Sequence, residues 1–189
     1  PLPRRFAAAS LLAALAVIGG GCATVGEPAT RVAPGPAMGE TRTNAEVAPA
    51  TGKLLTSVEL RTEIPTAIIG DRCYAEVNSA WLPQWYRTFR AKLFKIGLAR
   101  WDDRFDCNRI ADFYSNLAQA YFALEMFYSK TPAQALAMGP FWYVRGDGKG
   151  CHAIVQVLTE RGRVFIDPHT GEEMKLSPAE RQSGYVQIF

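Results

Sequence analysis

The stretch Cys151-His152-Ala153-Ile154-Val155-Gln156-Val157-Leu158-Thr159-Glu160-Arg161-Gly162-Arg163-Val164-Phe165-Ile166-Asp167-Pro168 decides the fold of this chain. From Cys151 to Leu158 it is apolar on both faces of an extended chain, as in a strand at the centre of a sheet. Residues 163–167 form a second β-rich run, and Thr159-Glu160-Arg161-Gly162 reads as the hairpin loop between them. With that loop, Leu158 opposes Arg163 and Ile154 opposes Asp167. His152 and Asp167 then share a face as diagonal neighbours, roughly 7–8 Å apart at the backbone. A slip of one residue would put them on opposite faces.

Working outward, Phe141 to Val144 is predicted as a strand, and Arg145 to Gly150 as a polar, glycine-rich loop placed to border a cleft. Pro168 to Gly171 turns the chain, and Tyr185 to Phe189 adds a final strand. Upstream, Asp106 is an N-cap and Cys107 opens a long helix. Its stripe is Ile110, Phe113, Tyr114, Leu117, Tyr121, Leu124 and Tyr128, with Cys107 on the inward side. An earlier helix has Ser79 as N-cap and Pro83 in its first turn. Trp81, Trp85, Phe89, Leu93 and Ile96 recur along it at helical spacing, and Gly97 stops it. Before that, 67–69 and 73–77 read as extended, and Leu54 to Glu63 as a short helix ended by Pro65.

The chain has 189 residues. Its first 22 read as an export signal: Arg4 and Arg5, an apolar run from Phe6 to Ile18, then Gly19-Gly20-Gly21-Cys22. The run is too short to span a bilayer as a stable helix. Cys22 after small residues resembles the lipobox of bacterial lipoproteins, although Gly19 stands where Leu is usual. The resemblance implies lipidation of Cys22 and anchoring at the cell envelope, periplasmic or outer-membrane. The alternative is ordinary cleavage after Ala23, which also takes the protein out of the cytoplasm. Residues 23–52 are rich in Ala, Pro, Thr and Gly and read as a flexible tether. Residues 53–189 suit one domain. The net charge of +3 comes without a basic run interleaved with aromatics, so nucleic acid is not an expected partner.

Four cysteines in an exported chain call for an assignment. With Cys22 lipidated, Cys73 and Cys151 are the expected disulfide and Cys107 stays free. The alternative pairs Cys107 with Cys73 or Cys151. A thiol at a helix start is biased toward thiolate, although Asp106 beside Cys107 opposes that. His152 as base and Asp167 as its orienting carboxylate complete a nucleophilic set. His169, in the turn, is expected to be solvated. No CxxC pair and no HExxH occur, so neither a metal nor another cofactor is expected.

Phe105-Asp106-Cys107-Asn108 with its helix, Cys151-His152-Ala153-Ile154-Val155 and Val164-Phe165-Ile166-Asp167-Pro168 together resemble the transglutaminase-like and papain-like cysteine enzymes. The resemblance covers about residues 101–171. It implies an α+β fold, with N-terminal helices and a nucleophilic Cys at a helix start packed on a C-terminal antiparallel sheet. It implies catalytic roles for Cys107, His152 and Asp167 in acyl transfer on an amide or peptide bond. Hydrolysis would make the protein a peptidase or amidase; entry of an amine would make it a transglutaminase. Its substrate would be a peptide or protein, including cell wall. The Gln that papain-like enzymes carry before the Cys is missing. The Cys107 N–H is one oxyanion donor, and Gln84, Trp81 and Trp101 are the candidates for the second. The Asp-Cys start also resembles peptidoglycan peptidases of the NlpC-type hydrolase group. A third reading is a non-catalytic envelope lipoprotein that uses the fold for binding. The oligomeric state is left open.

Overall fold

The structure is a computed structural model that describes residues 46–100, 102–127, 129–184 and 186–187. The export signal, Cys22, most of the tether, Trp101, Tyr128 and Tyr185 lie outside the described residues. Among the described residues, no helix is long and apolar enough to cross a membrane.

The elements run β1 (Ala50–Thr56), α1 (Ser57–Glu63), β2 (Cys73–Val77), a 3₁₀ turn (Ser79–Trp81), α2 (Leu82–Lys95) and α3 (Cys107–Met126). They continue β3 (Ala135–Leu136), β4 (Met138–Val144), β5 (Cys151–Thr159), β6 (Gly162–Ile166), α4 (Pro178–Gln182) and β7 (Val186–Gln187). The strands form one curled mixed sheet of order β1-β2-β5-β4-β7, with β3 beside β2 and β6 beside β5. β5 pairs antiparallel with β4 and β6 and parallel with the end of β2, through Val77 and Thr159.

The β5–β6 register is the one read from the sequence: Leu158 opposes Arg163 and Val155 opposes Ile166, and β6 ends there, one residue before Asp167. The turn between them is closed by Thr159, whose hydroxyl donates to the Gly162 carbonyl at 3.0 Å. The sheet as a whole corrects the expected arrangement. It is not a C-terminal antiparallel sheet behind N-terminal helices, because β1 and β2 belong to it and β2 pairs parallel with both β3 and β5. This is a curled mixed half-barrel rather than the papain-like or transglutaminase-like architecture.

Two upstream boundaries also move. β1 occupies Ala50–Thr56, where a tether to residue 52 and then a helix were predicted. The helix starts only at Ser57, where Thr56 and Glu59 form a reciprocal capping box. The 3₁₀ turn is capped by Asn78, whose Oδ1 accepts the Ala80 N–H at 3.0 Å. Pro83 stands in the first turn of α2 as expected.

α3 begins at Cys107 with Asp106 as N-cap, its carboxylate accepting the Arg109 N–H. Its buried face is Ile110, Ala111, Tyr114, Ser115, Ala118 and Phe122. That face is rotated from the predicted stripe: Phe122 is buried and Leu124 is 72% exposed. Small residues at 111, 115 and 118 let the helix lie close on β4 and β5. Trp85 and Phe89 of α2 pack edge-to-face against Tyr114, at 5.8 and 4.9 Å between ring centroids. With Ala153, Val155 and Val157 of β5 they make the main core. A smaller cluster of Phe141, Tyr143, Ile154, Phe165 and Leu176 holds the other face of β4–β6.

Candidate functional site: the cleft at the β4–β5 hairpin

Strand alternation gives β5 two different faces. Ala153 and Val155 face α3, whereas Ile154 belongs to the cluster with Tyr143 and Phe165. Tyr143 pairs directly with His152, and their rings meet edge-to-face at 5.9 Å. His152 therefore lies on the Tyr143 side. Asp167, one position past Ile166, follows the alternation of Phe165 onto the same side.

Three local devices shape a cleft of about 260 Å³ there. The first is the hairpin tip, residues 145–150. Arg145 donates to both carboxylate oxygens of Asp147, and Asp147 also accepts the Lys149 N–H. Gly148 and Gly150 have φ of +74° and +89°, which other residues rarely adopt. The second is α4, whose capping box joins Ser177 and Glu180. Glu180 also accepts the Gly146 N–H at 3.0 Å, tying the helix to the hairpin tip. The third is the turn after β6. Asp167 accepts the His169 N–H at 2.8 Å, and the Tyr86 hydroxyl donates to the His169 carbonyl at 2.9 Å. Gly171 passes so close to Tyr86 that a Cβ there would lie 2.5 Å from its ring.

The cleft is lined on its apolar side by the buried Tyr143 and Leu176 and the half-buried Met174. Arg145, Asp147, His152, Asp167, Lys175 and Glu180 complete the lining, so most of it is polar or charged. Burial pushes the His152 pKa down and outweighs the nearby Asp167 carboxylate, while Arg145 and His169 add to the downward shift. Burial also pushes the Tyr143 phenol up. Arg145 holds the Asp147 carboxyl below the usual range, and backbone donors do the same for Glu180.

The structure brings His152 and Asp167 into one cleft and leaves Cys107 out of it. Cys107 packs against the cluster on the α3 side, and its thiol meets Asn108 Oδ1 at 3.6 Å. Among the described residues, no hydrogen bond links His152 to Cys107 or to Asp167. A triad was inferred from the order of three residues, but order does not say on which side of a strand a helix packs.

The remaining site expectations fall as follows. Gln84 accepts the Val47 N–H at 3.3 Å through Oε1, and Trp81 is buried and stacked on Trp85 at 5.2 Å. Trp101 and Cys22 lie outside the described residues. Cys73 and Cys151 are free thiols rather than a disulfide. Cys73 pairs with Thr56 of β1 and Cys151 with Val144 of β4, so the two cysteines belong to different strand pairs. The loop 145–150 does border the cleft, through Arg145 and Asp147. Glu180 was missed. Its capping box was legible in Ser177-Pro178-Ala179-Glu180, but its reach to Gly146 spans 34 residues. No group of three or more His, Cys, Asp or Glu side chains among the described residues could hold a metal ion.

No protein-family model matches the sequence. No curated protein matches it either. Among solved structures, the fold is similar to a complex of PSL1a with E64, at TM-score 0.53 and 15% identity, covering 72% of this chain and 51% of that one. It is also similar to the Polyporus squamosus lectin bound to the human-type influenza-binding epitope Neu5Aca2-6Galb1-4GlcNAc. There the TM-score is 0.52 and the identity 16%, over 72% of this chain and 49% of the lectin. The chain thus spans about half the length of these structures. At such identities the likeness is one of fold. It corrects the papain-like or transglutaminase-like identification; with Cys107 outside the cleft, the thiol-dependent acyl transfer and the cysteine-peptidase assignment drawn from that identification lose their support.

Proposed function

We propose that this domain is a carbohydrate-binding module whose ligand sits in the cleft of Tyr143, His152 and Asp167. The observation that carries the reading is the make-up of that cleft: the buried apolar surface of Tyr143 and Leu176 beside a larger set of hydrogen-bonding and charged groups. A sugar ring has the same two characters, with C–H faces and a belt of hydroxyls, and small-molecule sites combine apolar lining with a few placed polar groups. The lectin whose fold is similar binds a saccharide, which agrees with this reading. His152 and Asp167 are assigned to ligand contact, and Cys107 is not part of the site.

Export belongs to the same proposal. The sequence from Arg4 to Cys22 supports secretion with a lipid on Cys22, which would present the cleft outside the cytoplasm at the cell envelope.

The test is a glycan array followed by calorimetry on the best ligand, with the full chain and the variants His152→Ala, Asp167→Ala and Cys107→Ser. The reading expects saccharide binding that weakens by roughly tenfold or more in the first two variants and is unchanged in the third. Folded protein that binds no saccharide would overturn it, as would binding indifferent to His152 and Asp167.

A further inference from the structure

The charge balance of the cleft bears on the class of saccharide, an inference that rests on the binding reading above. Arg145 is engaged by Asp147 through both Nε and Nη2, and Lys149, which does not line the cleft, stands 3.9 Å from the same carboxylate, so Asp147 is fully offset. Asp167 accepts the His169 N–H through Oδ1, and its second oxygen has no hydrogen-bond partner among the described residues. Glu180 accepts from the Gly146 N–H and from the Ser177 N–H and hydroxyl, all neutral donors. These donors hold its carboxyl below the usual range, so it is ionised near neutral pH. Of the lining cations, exposed Lys175 is the one left without a carboxylate against it. Burial keeps His152 neutral near pH 7.

Two uncancelled carboxylates thus face one lysine in a cleft of about 260 Å³. A ligand carboxylate would meet net repulsion there. An ammonium would find the unused oxygen of Asp167, in a charge-assisted hydrogen bond stronger than a neutral one.

We infer that the cleft selects saccharides carrying a free ammonium group, as in an oligomer of unsubstituted glucosamine, over N-acetylated and carboxylated saccharides. The experiment is calorimetry on the full chain at about pH 7, where an amine of ordinary α-amino pKa, about 7.7–8.0, is mostly protonated. Its probes are tetraglucosamine, the fully N-acetylated tetramer and Neu5Aca2-6Galb1-4GlcNAc. The amine form is expected to bind roughly tenfold tighter than the acetylated one, with the preference abolished in Asp167→Asn. In Lys175→Glu the preference should grow, a gain that misfolding cannot imitate. Equal or tighter binding of the acetylated or sialylated probe overturns the ammonium class and leaves the carbohydrate reading standing. Binding by none of the probes, together with a blank glycan array, overturns both.

Discussion

The two faces of β5 differ in how thickly they are packed. On the α3 side, Ala153, Val155 and Val157 meet a thick layer of Trp85, Phe89, Tyr114 and Phe122, all buried. On the other side, Ile154 joins a thinner cluster with Phe141, Tyr143 and Phe165. Arg163 and Arg181 lie over the Phe165 ring, at 4.8 and 5.6 Å. Burial and the neighbouring Arg181 bring the Arg163 pKa down to about 10. That face thins further toward His152 and Asp167, where side chains meet water and can meet a ligand. The contrast assigns most folding energy to one face and, on the proposed reading, leaves the other for recognition.

The largest expected effect breaks the stability face. Trp85→Ala removes a fully buried ring and should cost about 3–5 kcal/mol. Urea denaturation measures it, and saccharide affinity of the protein still folded should not change. A loss of affinity equal to that of His152→Ala would erase the division.

Next comes an overpacking test on the recognition face. Gly184 lies so close to Phe141 that a Cβ would stand 2.1 Å from the ring. Gly184→Ala should destabilise by about 1–3 kcal/mol, read as a shift of the denaturation midpoint. Adding Phe141→Leu should recover part of that loss. Non-recovery would place the strain elsewhere than this contact.

A smaller effect tests Cys107. Its thiol packs on the α3 side, so Cys107→Ser should lower stability by about 1 kcal/mol, within the ordinary range for a point substitution. Saccharide affinity should stay within about twofold. A loss of binding would return Cys107 to the site.

The smallest effect is the pH response of His152. Its folded pKa lies below the ordinary value of about 6.5 because of burial, with Asp167 opposing and Arg145 and His169 assisting. As pH falls below about 6.5, the unfolded chain takes up the proton before the folded one does. Stability is therefore full above that pH and declines on acidification, down to the folded pKa. Thermal melts between pH 5 and 8 should show this decline, and His152→Gln should flatten it. An unchanged decline in the variant would assign it to other groups.

The β5–β6 hairpin was legible because periodicity and a short turn fix a register between neighbours in sequence. The start of α3 was legible because Asp106 and the apolar residues after it are local signals. β1 was missed because Ala50-Thr51-Gly52 has the composition of the tether before it, and its pairing with β2 lies about 20 residues away. The parallel contact of Val77 with Thr159 joins residues more than 80 positions apart, beyond any local pattern.

The sequence by itself determined the central strand, the hairpin register and the shared face of His152 and Asp167, since each depends on alternation and turn chemistry along a continuous stretch. Tertiary structure alone decided that Cys107 lies on the α3 side and that Glu180 reaches the hairpin tip to close the cleft. Those outcomes depend on which face of the sheet each helix covers. That choice is made by the whole apolar surface of β4 and β5 at once, and three residues in order along a chain carry no record of it.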